Sequence, residues 1–246
     1  MGQERIIHAA LLGAGTVGSG VYKLVKDLEE EIISKTGARL VVDKILVRDT
    51  TKAREGIPSE LLIDRWDEIL NDPQIEIVIE VMGGIRPALT WLEEALRAGK
   101  QVVTANKDLL AEYGEQLFDA AEAGKCDLHF EAAVAGAIPI IRPLRQSLAA
   151  SELTEVMGIV NGTTNYILTR MTEDGMGYEE ALALATKLGY AESDPTADVE
   201  GYDAGRKVAI MASIAFNSNV TFSQVYTEGI THITAEDIRY AKEFGY

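Results

Sequence analysis

One stretch near the start of the chain predicts its fold: Arg5-Ile6-Ile7-His8-Ala9-Ala10-Leu11-Leu12-Gly13-Ala14-Gly15-Thr16-Val17-Gly18. Its first eight residues are mostly apolar and are followed by glycine, which is typical of a buried parallel strand. The next six residues give the pattern G-x-G-x-x-G, and residues 19–35 continue as a helix. A strand before this pattern and a helix after it favour a dinucleotide site over a purely structural glycine turn.

Five of the six residues of the glycine pattern have an expected role in such a site. Gly13 permits the tight turn, Gly15 lets the backbone approach a pyrophosphate, and Gly18 lets the helix pack against the strand. Thr16 and Val17 lie at the helix N-terminus, where backbone amides and the helix dipole favour phosphate. We therefore expect cofactor contacts at all five positions.

The end of the second predicted strand, residues 40–47, should carry the residue that reads the ribose. The sequence there is Arg48-Asp49. Arg48 suits the 2'-phosphate of NADP, whereas Asp49 can accept a hydrogen bond from the 2'-hydroxyl of NAD. We favour NADP, and the alternative is a surface ion pair between the two side chains.

Strands and helices alternate through the first half, with helices expected at residues 66–70, 87–98 and 109–123 and strands at 75–81, 101–104 and 127–132. This alternation predicts an α/β fold, a Rossmann-type doubly wound parallel sheet covered on both faces. Ligands bind at the carboxyl ends of such strands. Met82-Gly83-Gly84 and Thr104-Ala105-Asn106-Lys107 lie there. Lys107 is expected near the nicotinamide, or else as a phosphate-facing or solvated lysine.

The composition of the chain argues against several classes of function. A net charge of -16 over 246 residues argues against binding nucleic acid. Cys126 is the only cysteine, so a reducing, cytoplasmic location fits. The apolar run at the N-terminus is too short for a membrane span and lacks a signal-peptide pattern. His8 and His129 lie in predicted strands as expected core residues, and three scattered histidines give no zinc signature.

The second half is expected to form an α+β layer, with helices at residues 143–150, 166–173, 178–188 and 203–216 and a strand at 152–160. Four carboxylates precede the last helix: Glu192, Asp194, Asp198 and Glu200. Asp203 and Lys207 lie four residues apart and share one helix face. A lysine beside carboxylates is a candidate general acid, and carboxylates can receive a substrate ammonium. The alternative is a solvated loop with a surface ion pair.

Five ordered motifs together resemble homoserine dehydrogenase across essentially the whole chain. They are Gly13 to Gly18, Thr104 to Lys107, Ala133-Val134-Ala135-Gly136-Ala137-Ile138-Pro139, Asn161-Gly162-Thr163-Thr164-Asn165-Tyr166-Ile167-Leu168, and Gly189-Tyr190-Ala191-Glu192-Ser193-Asp194-Pro195 continued by Asp198, Gly201, Asp203, Arg206 and Lys207. The resemblance implies an NAD(P)-binding domain at residues 1–132 and a catalytic and dimerisation domain at 133–246. It also implies interconversion of L-homoserine and L-aspartate 4-semialdehyde in threonine, methionine and isoleucine synthesis.

The resemblance also implies residue roles. Lys207 matches the proton donor of the family. Substrate contacts correspond to Glu192, Asp198, Asp203 and Lys107, and cofactor contacts include Thr104, Lys107 and Gly189. A sodium site corresponds to Glu131, Val134, Gly136 and Ile138, although pattern alone favours a tight connection there. The family also suggests a homodimer.

One departure concerns the end of the chain. The catalytic region of the family runs on well past Tyr246, and many members add a regulatory ACT domain. We therefore expect a truncated chain that binds its cofactor more weakly than a complete enzyme, a difference that an NADPH titration of this chain and an extended version would reveal.

Two alternative functions are also compatible with a dinucleotide-binding fold. A dehydrogenase of the aspartate-semialdehyde or glyceraldehyde-phosphate type uses a catalytic cysteine, but Cys126 precedes a strand instead of lying on a catalytic loop. A non-catalytic nucleotide sensor needs no proton donor, so the joint presence of Lys107, Glu192, Asp203 and Lys207 speaks against it.

Overall fold

A six-stranded parallel sheet forms the centre of the first part of the chain in this computed structural model, which describes residues 5–246. The strands are β1 (Arg5–Leu12), β2 (Ala38–Leu46), β3 (Leu62–Ile63), β4 (Ile75–Glu80), β5 (Gln101–Thr104) and β6 (Leu128–His129). They lie in the order β3-β2-β1-β4-β5-β6. The order reverses at β1, next to β4, which is where doubly wound sheets bind ligands. The predicted Rossmann-type sheet is confirmed.

Helices pack against this sheet, whose strands carry mostly apolar residues. They are α1 (Thr16–Asp27), α2 (Glu29–Thr36), α3 (Asp67–Leu70), α4 (Ala88–Arg97) and α5 (Lys107–Gly124). Residues 9–12 of β1 are completely buried, as expected for a central strand. The single helix predicted at residues 19–35 is instead two helices, because Leu28 leaves helical geometry with φ of -106° and ψ of 21°.

Several local expectations in this part are wrong. β3 has only two residues, too few to show a periodic pattern, and it was not predicted. The strand expected at residues 127–132 ends at His129 and passes into a 3-10 turn, Glu131–Ala133. His129 is exposed because β6 is the edge strand of the sheet. His8 is half-buried, and its Nδ1 lies 2.6 Å from Oδ2 of Asp43 on β2.

A polar network joins β2 to the segments that precede β4 and β5. Lys100 is buried, and its ammonium donates to the backbone carbonyls of Asp72 and Ile75 at 2.7 and 2.9 Å. Burial lowers the pKa of Lys100. Lys44 donates to the Asp72 carboxylate at 2.7 Å, and this hydrogen bond is the main cause that lowers the pKa of Asp72.

The second part of the chain is helical. Its elements are a π-helical turn (Pro143–Ser147), α6 (Gly162–Glu173), α7 (Tyr178–Lys187), α8 (Thr196–Val199), α9 (Tyr202–Ala215), a 3-10 turn (Phe222–Gln224) and α10 (Ala235–Phe244). The buried residues Ile167 and Met171 of α6 pack in one cluster with Ala181 and Ala185 of α7. Helix α10 was not predicted. Of the helix expected at residues 143–150, only the first five form, as the π-helical turn.

The strand predicted at residues 152–160 is wrong for this chain. The segment lies outside all helices and strands, and Met157 and Ile159 are 83% and 78% exposed. A strand needs a neighbour for its backbone hydrogen bonds, and the described residues 143–246 contain no strand. The β part of the expected α+β layer is therefore not formed within these residues.

The described chain divides into two compact units after Arg142. The assignment of a nucleotide-binding role to residues 1–132 and a catalytic role to 133–246 remains a prediction. Among the described residues, no helix combines the length and apolar character needed to cross a bilayer.

Candidate functional site

The glycine turn after β1 has the geometry that its sequence pattern predicts. Gly13 has φ of +99°, which only glycine adopts readily. A Cβ on Gly18 would lie 2.1 Å from the carbonyl oxygen of Gly13, so α1 lies directly against the turn. A Cβ on Gly15 would meet nothing within 4 Å, and the first turn of α1 contains no acidic residue. The open space beside Gly15 and the amides at Thr16 and Val17 fit a phosphate-bearing cofactor.

The carboxyl end of β2 holds the two candidate ribose contacts. Arg48 and Asp49 are both exposed. The Asp49 carboxylate accepts hydrogen bonds from the hydroxyl and the backbone N–H of Thr51, at 2.6 and 2.9 Å. The hydroxyl contact is the main cause that lowers the pKa of Asp49. Within the described chain no ion pair joins the two side chains, so the surface-pair alternative is not formed and Arg48 stays a candidate for the cofactor.

The loops after β4 and β5 are joined at the same edge of the sheet. The Asn106 side chain donates to the carbonyl of Gly84 at 2.6 Å, and its oxygen caps α5 by accepting from Leu109 N–H at 3.2 Å. Thr104 is buried, and its hydroxyl accepts from the Asn106 N–H at 3.0 Å. Lys107, half-buried, is the first residue of α5. The expected contacts Thr104 and Lys107 thus lie on one braced turn.

The second unit contains a buried ion pair at the start of α9. Lys207 Nζ donates to Asp203 Oδ2 at 2.6 Å and to the backbone carbonyl of Val160 at 2.7 Å. Asp203 is only 4% exposed, and the side chain of Lys207 is 16% exposed. The alternative of a solvated surface pair is therefore wrong for these two residues. Since an ammonium has three N–H groups, one is left for another acceptor.

Asn161 links this pair to a second carboxylate, a role that the sequence pattern did not reveal. Its amide nitrogen donates to Asp198 Oδ1 at 2.7 Å and to Asp203 Oδ2 at 2.9 Å. Its oxygen accepts from the backbone N–H of Thr164 at 2.8 Å and so caps α6. The N-cap was foreseeable from Asn-Gly-Thr-Thr, but the bridge between carboxylates distant in sequence was not. We refer to Asn161, Asp198, Asp203 and Lys207 as the acid–lysine cluster.

The other candidates in the second unit lie outside this hydrogen-bonded cluster. Glu192 is exposed and makes no hydrogen bond to the cluster in the described residues. Asp194 is exposed, and its carboxylate accepts from the Thr196 hydroxyl at 2.6 Å, which lowers the pKa of Asp194. Gly189 follows α7 with φ of +80°. The structure thus unites three of the predicted residues, Asp198, Asp203 and Lys207.

The loop predicted to bind sodium is tightly folded. Ala135 and Ala137 have left-handed φ angles of 50° and 66°, a costly geometry for alanine that is often found at functional sites. Glu131 accepts from the backbone amides of residues 140, 141 and 142. Burial raises the pKa of Glu131, but these amides together outweigh it, so the net shift is downward. The described residues contain no group of three His, Cys, Asp or Glu side chains placed for a metal.

Known protein families match both units. The family described as the NAD binding domain of homoserine dehydrogenase matches residues 13–131. The family described as homoserine dehydrogenase matches residues 139–246.

Individual relatives agree with these matches. A homoserine dehydrogenase from Bacillus subtilis is 47% identical over 243 residues, covering 98% of this chain and 56% of the relative. One from Mycobacterium bovis is 52% identical over 244 residues, covering 99% and 55%. The crystal structure of a homoserine dehydrogenase from Thiobacillus denitrificans superposes with a TM-score of 0.90 at 44% identity, covering 98% of this chain and 56% of that one.

The chain thus spans a little over half the length of these relatives. Within that span the agreement is nearly continuous in sequence and in backbone, and it includes both units. The chain belongs to the homoserine dehydrogenase family, and its first unit contains the NAD-binding domain of that family.

Proposed function

We propose that the protein to which this chain belongs interconverts L-homoserine and L-aspartate 4-semialdehyde with NAD or NADP, as an oxidoreductase of amino-acid synthesis. The observation that carries the proposal is the buried acid–lysine cluster, in a chain that also has a dinucleotide turn. A partly buried lysine held between a carboxylate and a carbonyl is a candidate general acid. Family membership supplies the reaction for which such a group is suited.

The proposed chemistry needs a hydride and a proton. Reducing the aldehyde adds a hydride to its carbon and a proton to its oxygen, and the bound nicotinamide cofactor supplies the hydride. Lys207 donates the proton through the N–H group that Asp203 and Val160 leave available. In the oxidative direction Lys207 takes the proton back from the homoserine hydroxyl. Asp203 holds the Lys207 side chain in place both before and after the proton leaves it.

Substrate recognition is assigned to the carboxylates around Lys207. The amino group of homoserine is a cation, which Glu192, Asp198 and Asp203 suit. Asp198 and Asp203 are held by Asn161, whereas Glu192 is exposed and is proposed as a further contact to the amino group. Lys107 is proposed as a contact to both substrate and cofactor.

Cofactor binding is assigned to the carboxyl edge of the sheet. The proposed contacts there are Gly13, Gly15, Thr16, Val17, Gly18, Arg48, Thr104 and Lys107. Gly189 is a further proposed cofactor contact, which rests on family membership alone. NADP is favoured over NAD because Arg48 is exposed at the end of β2 and is not paired with Asp49.

Further parts of the proposal rest on family membership with less support from geometry. Residues 1–132 are assigned cofactor binding, and residues 133–246 catalysis and pairing into a homodimer in the cytoplasm. The loop of Glu131, Val134, Gly136 and Ile138 is proposed to bind a sodium ion, which suits oxygen ligands on a tightly turned backbone. Synthesis of threonine, methionine and isoleucine is the assigned pathway.

The cysteine-dependent alternative is disfavoured by the position of Cys126. It follows α5 and precedes β6, at the amino end of the sheet and not at the edge where cofactors bind. Its thiol donates to the carbonyl of Leu96 at 3.2 Å, and burial raises its pKa. A nucleophilic cysteine needs the opposite shift.

Homoserine-dependent reduction of NAD and NADP tests the proposal. We expect turnover in a protein that includes the remaining length of the relatives, with a lower KM for NADP than for NAD. Binding of NADPH without any turnover would favour the nucleotide-sensor alternative. Turnover that survives replacement of Cys126 by Ser would exclude the cysteine mechanism.

A further inference from the structure

Glu80 is a completely buried carboxylate that none of the roles above uses. It is the last residue of β4, and its relative exposure is 0%. Its two oxygens accept three hydrogen bonds: Oε1 accepts from Met82 N–H at 2.8 Å and from Gly83 N–H at 3.1 Å, and Oε2 accepts from the Thr104 hydroxyl at 2.6 Å. A buried polar side chain that is satisfied in this way fixes the groups around it.

One side of Glu80 fixes the loop that packs against the glycine turn. A Cβ on Gly13 would lie 3.1–3.3 Å from the side chain and backbone of Met82, so the two segments are in close contact. The amide of Met82 is held by Glu80. The position of the loop after β4 and the room available to the turn after β1 therefore depend on the same carboxylate.

The other side of Glu80 fixes the turn after β5. Because the Thr104 hydroxyl proton is directed to Glu80, the oxygen of Thr104 faces the Asn106 N–H and accepts it at 3.0 Å. Asn106 then bonds back to Gly84 and caps α5 at Leu109. Hydrogen bonds thus run from Glu80 through Thr104 and Asn106 to the loop after β4, and Lys107 lies at their edge.

We propose that Glu80 is a positioning residue for cofactor binding: it sets the spacing of the turns after β1, β4 and β5 without touching the cofactor itself. The proposal rests on the proposed function, because it assumes that this edge binds a nicotinamide dinucleotide. A glutamine at position 80 either turns its NH2 toward the N–H groups of Met82 and Gly83 and loses those bonds, or turns it toward Thr104, whose hydroxyl proton then loses its acceptor. An aspartate would keep the carboxylate but withdraw it by one methylene.

The test compares the wild type with Glu80→Gln and Glu80→Asp in the protein that carries this chain. Binding of NADPH and NADH is titrated by fluorescence, and KM and kcat are measured where turnover occurs. Glu94→Gln is the control, because Glu94 also accepts an internal hydrogen bond, from Trp66 at 2.7 Å, on a helix instead of at the cofactor edge.

We expect Glu80→Gln to weaken cofactor binding by about tenfold or more, given the usual loss when buried donors are left unpaired. KM for the cofactor rises, while KM for homoserine and the circular dichroism spectrum stay near wild type. A merely structural role would reduce the active fraction and lower kcat without changing the KM for the cofactor. The control variant should bind as the wild type does.

Two results would overturn the proposal. One is normal cofactor binding by both Glu80 variants, and the other is unfolding of both, which would make Glu80 a requirement of the fold alone. If only Glu80→Gln unfolds, weakened binding by a folded Glu80→Asp supports the proposal, and normal binding by it overturns the proposal. A wild type that binds neither cofactor overturns it as well. A wild type that binds cofactor without turning over homoserine contradicts only the proposed function. Comparing cofactor binding by the wild type and the Glu80 variants then still tests the role of Glu80.

Discussion

Lys207 and Asp203 form an ion pair whose surroundings differ from those of the other helical pairs in this chain. Arg239 and Glu243 on α10 also lie four residues apart, but both side chains are 56% exposed. Such surface pairs contribute about 0–1 kcal/mol. The side chains of Lys207 and Asp203 are 16% and 6% exposed, and each has a second partner. The helical spacing predicted their contact, but only the fold shows that it is buried.

Replacing Lys207 by Ala should lower kcat by roughly 10²–10⁴-fold, as is typical for loss of a general acid, while leaving cofactor binding nearly unchanged. Steady-state kinetics and NADPH titration check both expectations. Lys187→Ala serves as a matched control, because Lys187 is exposed at the end of α7. A Lys207→Ala protein that keeps most of its rate would show that the proton comes from elsewhere.

Asn161 combines two tasks that substitution can separate. Asn161→Asp keeps a capping oxygen for α6, but it removes the donor that bridges Asp198 and Asp203 and adds a third carboxylate. We expect this variant to lose at least as much unfolding free energy in urea as Asn161→Ala, which loses both tasks. Asn71→Asp, at an exposed position, should change stability by no more than about 0.5 kcal/mol. Wild-type stability in Asn161→Asp would mean that only the helix cap matters.

At the scale of elements, α9 is positioned by how closely other segments approach it. A Cβ on Gly205 would lie 2.7 Å from both Phe222 and Thr227, so the glycine lets the segment around the Phe222–Gln224 turn lie against the helix that carries Asp203 and Lys207. Arg206 lies over the Phe222 ring at 4.8 Å on the same side. The sequence showed the helix but gave no sign of this contact, because nothing local to Gly205 encodes a partner seventeen residues away.

Gly205→Ala should therefore destabilise the second unit by about 1–3 kcal/mol through overpacking. The control is Gly20→Ala in α1, where a Cβ would meet nothing within 4 Å. That change should stabilise by roughly 0.5–1 kcal/mol, because alanine loses less backbone entropy in a helix. Thermal unfolding of the two variants measures the difference. Equal shifts in Tm would contradict the close packing seen at α9.

At the scale of the molecule, prediction from sequence succeeded where a pattern repeats or has a strict spacing. The alternation of strands and helices and the G-x-G-x-x-G turn gave the parallel sheet and its carboxyl edge. Glu80, Asn161 and the carbonyl of Val160 were missed as parts of the site because their partners are brought together only by tertiary folding. The strand predicted at residues 152–160 is absent because the residue pattern is a property of the segment alone. A strand also requires a neighbouring strand for its backbone hydrogen bonds.

The polar network of Lys44, Asp72 and Lys100 should make stability depend on pH. The folded pKa of Asp72 lies below its usual value, so its contribution is fully present above the unfolded pKa of about 3.9 and is lost as pH falls through the folded pKa. Asp72→Asn should cost roughly 1 kcal/mol at pH 7. The gap to wild type should narrow as pH falls from about 3.9 through the lower folded pKa. Asp67→Asn, in an exposed pair with Arg65, is the control, and a gap that is the same at both pH values would contradict the assignment.

The segment at residues 152–160, which lies outside all helices and strands, has a consequence for how this chain behaves in solution. Its backbone N–H groups find no acceptor within the described residues, and Val156, Met157 and Ile159 are exposed along it. An unpaired edge with apolar side chains adds readily to another strand. We expect the chain to form β-rich aggregates as its concentration rises, and Ile159→Lys to delay them, as light scattering and thioflavin fluorescence would show. We therefore expect residues 152–160 to limit the solubility of this chain, even though both of its units have buried apolar cores.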